Sequence, residues 1–222
     1  MSKKEFDESV QDGQNIYNPW VLRMYDLIVT YTSNSFIWQC SARHMTAQYN
    51  QYISHNHLDI GVGSGYYLKK VPNKLDKLAL MDLNENSIQH TIKRLKKEDI
   101  TSYNHNVFEE FPESCNGFDS IGINYLLHCL PGTFETEKKD VIANSTKALN
   151  PGGVLFGATI INIDDKTSTI AKKLMSIYNK KGIFHNTKDT QQSLESALSV
   201  YLENINTKRI GNVVLFSGNK PL

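Results

Sequence analysis

His57-Leu-Asp-Ile-Gly-Val-Gly-Ser-Gly-Tyr66 is a short apolar run that passes into three alternating glycines. Leu58, Ile60 and Val62 are strand-forming side chains, and Gly61, Gly63 and Gly65 remove the Cβ atoms that would keep a ligand off the backbone. A chain combines these where a buried strand ends at a crevice and its backbone must approach a bound molecule. The spacing narrows the choice of molecule. A dinucleotide fingerprint is G-x-G-x-x-G, whose third glycine lets helix and strand pack closely. That third position falls on residue 66, which is a tyrosine. The pattern is instead Asp59-x-Gly61-x-Gly63-x-Gly65, with an acid two residues before the first glycine. A glycine-rich turn without a ligand is the alternative, so the neighbouring segments decide.

Working outward, a short helix is expected over Tyr66 to Val71, stopped by Pro72. Lys77-Leu-Ala-Leu-Met-Asp82 then reads as a second buried strand ending in an acid. At the carboxyl end of that strand Asp82 faces the crevice and can accept hydrogen bonds from both hydroxyls of a ribose. Asn84 is placed to cap a helix whose Ile88, Ile92 and Leu95 share one face. A weaker strand is expected around Ser102 to Val107, a fourth over Phe118 to Tyr125 and a fifth over Val154 to Ile161. A helix from about Thr136 to Leu149 precedes the stop signal Asn150-Pro-Gly-Gly153. Strands alternating with helices at this spacing give parallel βαβ units.

The two ends of the chain differ from this middle. Two helical patterns, about Lys166 to Lys181 and Thr190 to Leu202, lead into short strands at Ile205 to Ile210 and Val213 to Ser217. Only Gly211-Asn212 separates those strands, which is a two-residue hairpin turn. Upstream, residues 1–14 are polar, and Ile16 to Ile53 is rich in aromatics. Val21, Tyr25, Ile28 and Val29 recur at helical spacing after Pro19, and a second helix is expected over Ile37 to Ile53. Residues 1–56 are thus read as a helical cap over the crevice, and 57–222 as the ligand-binding part of one α/β domain.

Composition limits the partners. The 222 residues carry a net charge of +1, which disfavours nucleic acid as the main partner. The charged start, Met1-Ser-Lys-Lys-Glu-Phe-Asp-Glu, lacks the apolar core of a signal peptide, and no apolar run is long enough to span a membrane. Cys40, Cys115 and Cys129 are odd in number and scattered, which fits neither a disulfide framework nor a zinc site. A cytoplasmic protein is expected, and a homodimer stays open as its assembly.

From about Tyr17 to Leu222 the chain resembles the class I S-adenosylmethionine (SAM)-dependent methyltransferases. The resemblance rests on Asp59-Ile-Gly-Val-Gly-Ser-Gly65, on Asp82 after strand two, and on Leu149-Asn-Pro-Gly-Gly-Val154 before strand five. Tyr25-Asp26 followed by Trp38 is loosely similar to the lead-in of quinone-biosynthesis methyltransferases, where an aromatic closes over the methionine end of SAM. The resemblance implies a Rossmann-like, mostly parallel seven-stranded sheet with an antiparallel last strand and helices on both faces. It also implies SAM as cofactor and a small-molecule methyl acceptor. Gly61 and Gly63 would then bring amides to the methionyl part, Gly65 would complete the loop, and Asp59 would hold the loop and the amino group. Asp82 would take the ribose, with Leu83 beside it. Where the family often has an acid against the adenine amine, this chain has His105-Asn106-Val107. Asn124 would flank the transferring methyl.

For an alcohol, phenol or protonated amine a base helps, and His128, four residues beyond Asn124, is the candidate. The same residue reads equally as a packed or merely exposed histidine. Tyr17, Tyr25 and Tyr125 are further candidates for the acceptor pocket. Strand four continues Asn124-Tyr-Leu-Leu127, so the Pro-Pro-aromatic motif of adenine and amide methyltransferases is absent, as are carboxylates for a catechol-type metal. No metal ligand is expected; Asp164-Asp165 and the basic run Lys93 to Lys97 read as solvated. A nicotinamide oxidoreductase is disfavoured by Tyr66. A SAM- or S-adenosylhomocysteine-binding protein without catalysis, and an RNA or protein methyltransferase, are the remaining alternatives.

Overall fold

Seven strands form one sheet in the order β3-β2-β1-β4-β5-β7-β6. A computed structural model describes residues 36–71, 75–165 and 167–222. The strands are β1 (Asn56–Ile60), β2 (Lys77–Asp82), β3 (Ile100–Asn104), β4 (Phe118–Asn124), β5 (Leu149–Ile160), β6 (Glu203–Ile210) and β7 (Val213–Asn219). β1 to β5 pair in parallel, and β7 runs antiparallel to both β5 and β6. The Rossmann-like sheet with its reversed last strand is therefore present. Gly211, at φ +57°, makes the tight turn between β6 and β7.

Successive strand residues face opposite sides of the sheet, and both sides are covered. Leu58, Ile60, Ala79, Met81, Ile121, Ile123 and Leu155 meet α3 (Glu137–Ala148) and α5 (Gln191–Leu198) on one face. Leu78, Leu80 and Phe156 meet α1 (Ala42–Tyr52) and α2 (Glu85–Leu95) on the other. On that second face α4 (Thr169–Lys180) completes the layer with Ala171 and Met175 against Ala158, Ile160 and Val213. Gln48 of α1 is buried and donates to the carbonyls of Gly157 and Phe216, both at 2.9 Å, which pins α1 across β5 and β7.

Several boundaries differ from the expectations, each for a local reason. Only a 3-10 turn, Leu68–Lys70, follows the glycines, because Gly65 is packed directly against Thr91 of α2. The second N-terminal helix starts at Ala42 and not at Ile37. β3 ends at Asn104, whose amide donates to the carbonyls of Asp82 and Leu83 and so closes the strand early. β5 takes in Asn150-Pro-Gly-Gly153, since Asn150 binds Gly117 O and Asp119 Oδ1 and a register shift at Phe118/Ser120 absorbs the extra residues. Asn84 caps α2 as expected, accepting from Asn86 N–H at 2.9 Å. The first expected helix, with Pro19, Val21 and Tyr25, lies outside the described residues, as does Pro72.

One ion pair joins α3 to the segment before α5. Lys138 Nζ lies 2.5 Å from Asp189 Oδ2, both side chains are fully buried, and Nζ also donates to His185 O at 3.0 Å. Burial lowers the Lys138 pKa against the pull of Asp189, and pushes Asp189 up to about 6. Removing one partner leaves an uncompensated buried charge. Asp189→Ala is therefore expected to lower the unfolding free energy by about 3–5 kcal/mol, measured by urea denaturation; a loss below about 1 kcal/mol would show the pair to be dispensable.

Candidate functional site

The strand order reverses between β1 and β4, and in open α/β sheets the ligand crevice lies at the carboxyl ends of the strands at such a point. The glycine loop lines it. Gly61, Gly63 and Gly65 all have positive φ, at +70°, +51° and +68°, a conformation that costs other residues. Their reasons differ. A Cβ on Gly61 would press on Leu126 at 3.0 Å, and one on Gly65 would strike Thr91 at 2.6 Å. A Cβ on Gly63 would meet nothing within 4 Å. Gly63 thus borders open space and not a neighbour, which is the cradle a bound molecule would fill. The loop is buttressed from α2, where Thr91 Oγ1 donates to Gly63 O and Arg94 to Ser64 O at 2.8 Å. Arg94 also lies 6.0 Å from the Tyr66 ring centre. The expected solvated basic face therefore gives one of its members to the loop.

Two carboxylates stand beside this loop. Asp59, at the end of β1, is buried and accepts from Tyr49 O–H at 2.6 Å; His57 Nε2 lies 3.4 Å from the same oxygen. Asp82, at the end of β2, is half-buried and accepts from Asn84 N–H at 2.9 Å. Burial pushes the Asp82 carboxyl up to about 6; hydrogen bonds from the Asn84, Gly63 and Val62 amides pull down, and Asp59 pushes up again. The influence of the Gly63 and Val62 amides places Asp82 beside the loop. Leu83, next to it, is half-buried.

Past β4 the chain makes an unusual turn. Tyr125 has φ +55°, and its N–H donates to Ala158 O at 2.8 Å. Asn124, just before it, has both amide atoms buried without a hydrogen-bond partner among the described residues. A buried amide in that state is suited to a ligand that satisfies it. Open Gly63, the raised Asp82 carboxyl and this amide stand at the carboxyl ends of β1, β2 and β4, and their chemistry fits a cofactor with a ribose and a charged amino-acid end.

The other expected site residues fall elsewhere. Trp38 is 1% exposed and packs among Cys40, Met45, Ala158, Met175 and Phe184, so its apolar ring fills the core and does not cover the crevice. His128 is buried in the turn Leu127–Cys129, its ring 4.5 Å from that of Phe184. Burial, helped by the Lys138 charge, lowers its pKa to about 3. Asn106 is half-buried and already accepts from Phe108 N–H, while Val107 is packed in the core. Asp164 is not a free loop acid, since it forms an ion pair with Arg209. Tyr17 and Tyr25 lie outside the described residues. Among those described, no cluster of three His, Cys, Asp or Glu could hold a metal, and no helix is long and apolar enough to cross a membrane.

Tyr49 and His57 were not singled out from the sequence. His57 and Asp59 are two apart on one strand and so share a face, a signal that was available. Tyr49 looked like any core aromatic of its segment.

Residues 58–155 match the family described as Methyltransferase domain. The uncharacterized protein YbcY of Escherichia coli (strain K12) is 44% identical over 190 residues, covering 84% of this chain and 97% of that one. Demethylluteothin O-methyltransferase of Streptomyces thioluteus is 38% identical over 197 residues, covering 88% and 85%. Among solved structures, the N-methyltransferase NodS from Bradyrhizobium japonicum WM9, in complex with S-adenosyl-L-homocysteine, superposes with a TM-score of 0.62 at 18% identity, covering 82% of this chain and 88% of that one.

The glycines provide a test of the loop itself. Gly63→Ala should cost only about 1–2 kcal/mol of stability, from its backbone conformation alone. Gly65→Ala adds the collision with Thr91 and should cost about 2–5 kcal/mol. Equal urea midpoints for the two variants would contradict the assignment of Gly63 to the crevice and Gly65 to packing.

Proposed function

The chain belongs to the class I SAM-dependent methyltransferases, and on that premise we propose that it moves the methyl group of SAM onto a small-molecule O, N or C nucleophile, oxygen first. The observation that carries this reading is the Asp82 carboxyl, felt by the amides of Val62 and Gly63, beside a loop whose Gly63 has open space where a Cβ would stand. A ribose carboxylate and a Cβ-free backbone then face one space. Oxygen is placed first because of the likeness to an O-methyltransferase at 38% identity.

The cofactor brings a methyl already activated by its sulfonium, so the task left to the chain is alignment. Gly61 and Gly63 offer amides to the amino-acid end, and Asp59 a buried carboxylate. Asp82 accepts from the ribose hydroxyls, each bond to the charged group contributing roughly 1.5–3 kcal/mol. Leu83 lends apolar contact near the base. Asn106 can offer its Nδ2, held only by a 3.4 Å link to Glu109. Asn124 borders the transfer point and satisfies its amide there.

His128 is assigned to packing in this reading. An imidazole at about 3 is neutral at working pH, but it accepts a proton poorly. Tyr49 is engaged by Asp59, and Tyr125 O–H points to Met45 Sδ at 3.8 Å. With these groups occupied, the acceptor that fits best brings its own acidity, as a phenol or enol does. Screening phenols, enols, quinones and amines with labelled SAM tests this. Methylation of amines alone would sink the oxygen reading. On the acceptor found, His128→Phe should lose far less than the roughly 10²–10⁴-fold that removal of a general base costs; a loss of that size in a folded variant would restore the base.

Asp82 generates a pH prediction. Its carboxyl in the free protein stands near 6, and ribose hydroxyls donate to the ionised form. Cofactor binding therefore strengthens as pH rises through 6 and levels off above it. S-adenosylhomocysteine should bind about tenfold more weakly at pH 5 than at pH 7. In Asp82→Ala affinity should fall by about one to two orders of magnitude at pH 7, with most of the slope lost. Calorimetry checks both, and tight binding of NADH with none of S-adenosylhomocysteine would refute the cofactor.

A further inference from the structure

On its buried face α1 presents Met45, then Gln48 and Tyr49 one turn later. Gln48 ties that face to β5 and β7 through the carbonyls of Gly157 and Phe216, and Tyr49 reaches across to β1. Three rings surround the Tyr49 ring. Tyr67 stacks on it with centroids 5.6 Å apart and planes at 19°, Phe156 meets it edge-on at 5.2 Å, and His57 lies 6.2 Å away. A phenylalanine would keep these ring contacts, so packing alone does not account for the hydroxyl.

Tyr49 is buried, and a buried hydroxyl costs free energy unless it is paired. It donates to Asp59 Oδ2 at 2.6 Å, a short bond to a carboxylate, whereas His57 Nε2 stands 3.4 Å from the same oxygen. Burial and the neighbouring Asp59 charge raise the Tyr49 pKa well above its ordinary value, so the phenol keeps the proton that it donates. Asp59 is itself buried, two residues before Gly61, and its partner across β4 is Gly122. A Cβ on Gly122 would lie 3.2 Å from Asp59 Oδ2, so glycine there clears the space in which carboxylate and phenol meet. Tyr67 comes two residues after Gly65, so Tyr49 touches both the acid before the glycine loop and the chain that leaves it.

We propose that Tyr49 is a positioning residue of the cofactor site, its hydroxyl aiming the Asp59 carboxylate at the cationic amino-acid end of the cofactor. Without that bond the carboxylate can turn about Cβ–Cγ, and an incoming ammonium group has to order it on binding. With the bond in place the direction of the acid is set beforehand, and that cost is absent. Tyr49 acts through Asp59 and touches no reacting atom. The ribose is taken by Asp82 in the same reading and not by Asp59. The effect of the hydroxyl is therefore confined to ligands that carry the amino-acid end.

This inference rests on the cofactor reading, and one experiment separates them. Wild type and Tyr49→Phe are titrated in a calorimeter with S-adenosylhomocysteine and with 5′-methylthioadenosine, which keeps the adenosine and the sulfur but lacks the amino-acid end. Tyr49→Phe should bind S-adenosylhomocysteine about tenfold more weakly than the wild type, and 5′-methylthioadenosine within about twofold of it. Failure of the wild type to bind either ligand removes the cofactor reading. Unchanged affinity of the variant for S-adenosylhomocysteine overturns the proposal. An equal loss for both ligands also overturns it, since a merely structural role would weaken the two alike. Should Tyr49→Phe not fold, Gly122→Ala serves in its place, because its methyl presses on Asp59 Oδ2. The same selective loss is expected there, and an unselective loss or none counts against the proposal in the same way.

Discussion

A carboxylate at the end of β1, out of water, constrains the residues around it. Burying an unpaired charge costs several kcal/mol, so Asp59 requires donors within reach. His57 can supply one because it shares a strand face with Asp59, and Tyr49 supplies the other at 2.6 Å from α1. The Tyr49 ring is wedged between Tyr67, with centroids 5.6 Å apart, and Phe156 at 5.2 Å. The loop acid, the sheet and α1 therefore stand or fall as one packing unit. The helix is fixed over the sheet by the same hydrogen bond that holds the acid.

The glycine loop divides its work. Gly61 makes room for Leu126 of the chain after β4, Gly65 makes room for α2, and only Gly63 leaves space for something else. Glycine takes the left-handed conformation freely, and Thr91 and Arg94 fix the loop by tying its carbonyls to α2. Asp82 completes the loop from below, its acidity moved by burial. Room beyond the chain itself is left at one glycine of the motif, while the other two make room for neighbouring side chains.

The sheet was legible in the sequence because each buried strand is a short apolar run closed by an acid, an amide or a glycine, and Gly211-Asn212 marked the reversed strand. The glycine turn after β1 and the acid closing β2 were legible because a left-handed backbone and a strand end leave residue-type signatures at fixed spacing. Trp38 and His128 were not. An aromatic or a histidine near a crevice carries no sequence mark that separates a packed ring from a working one. Trp38 is carried inward by Phe184 and Met175, and His128 by the turn Leu127–Cys129; Phe184 and Met175 lie far along the chain. Lys138 was equally hidden, since a lysine in the first turn of a helix normally reaches solvent, and Asp189 is 51 residues away.

β7 lies between β5 and β6, although it is the last strand in sequence. Its hydrogen bonds to β5 run from Val213↔Ile160 to Asn219↔Val154, and among the described residues β6 has no other strand partner. During synthesis, then, β5 must wait with an open edge until β7 has been made. Long-range pairing of this kind closes late and slowly. The interval exposes Leu155 and Phe156, flanking residues of the apolar run, to any other strand that comes by. The cofactor-side strands are made first, and β7 closes the sheet after them.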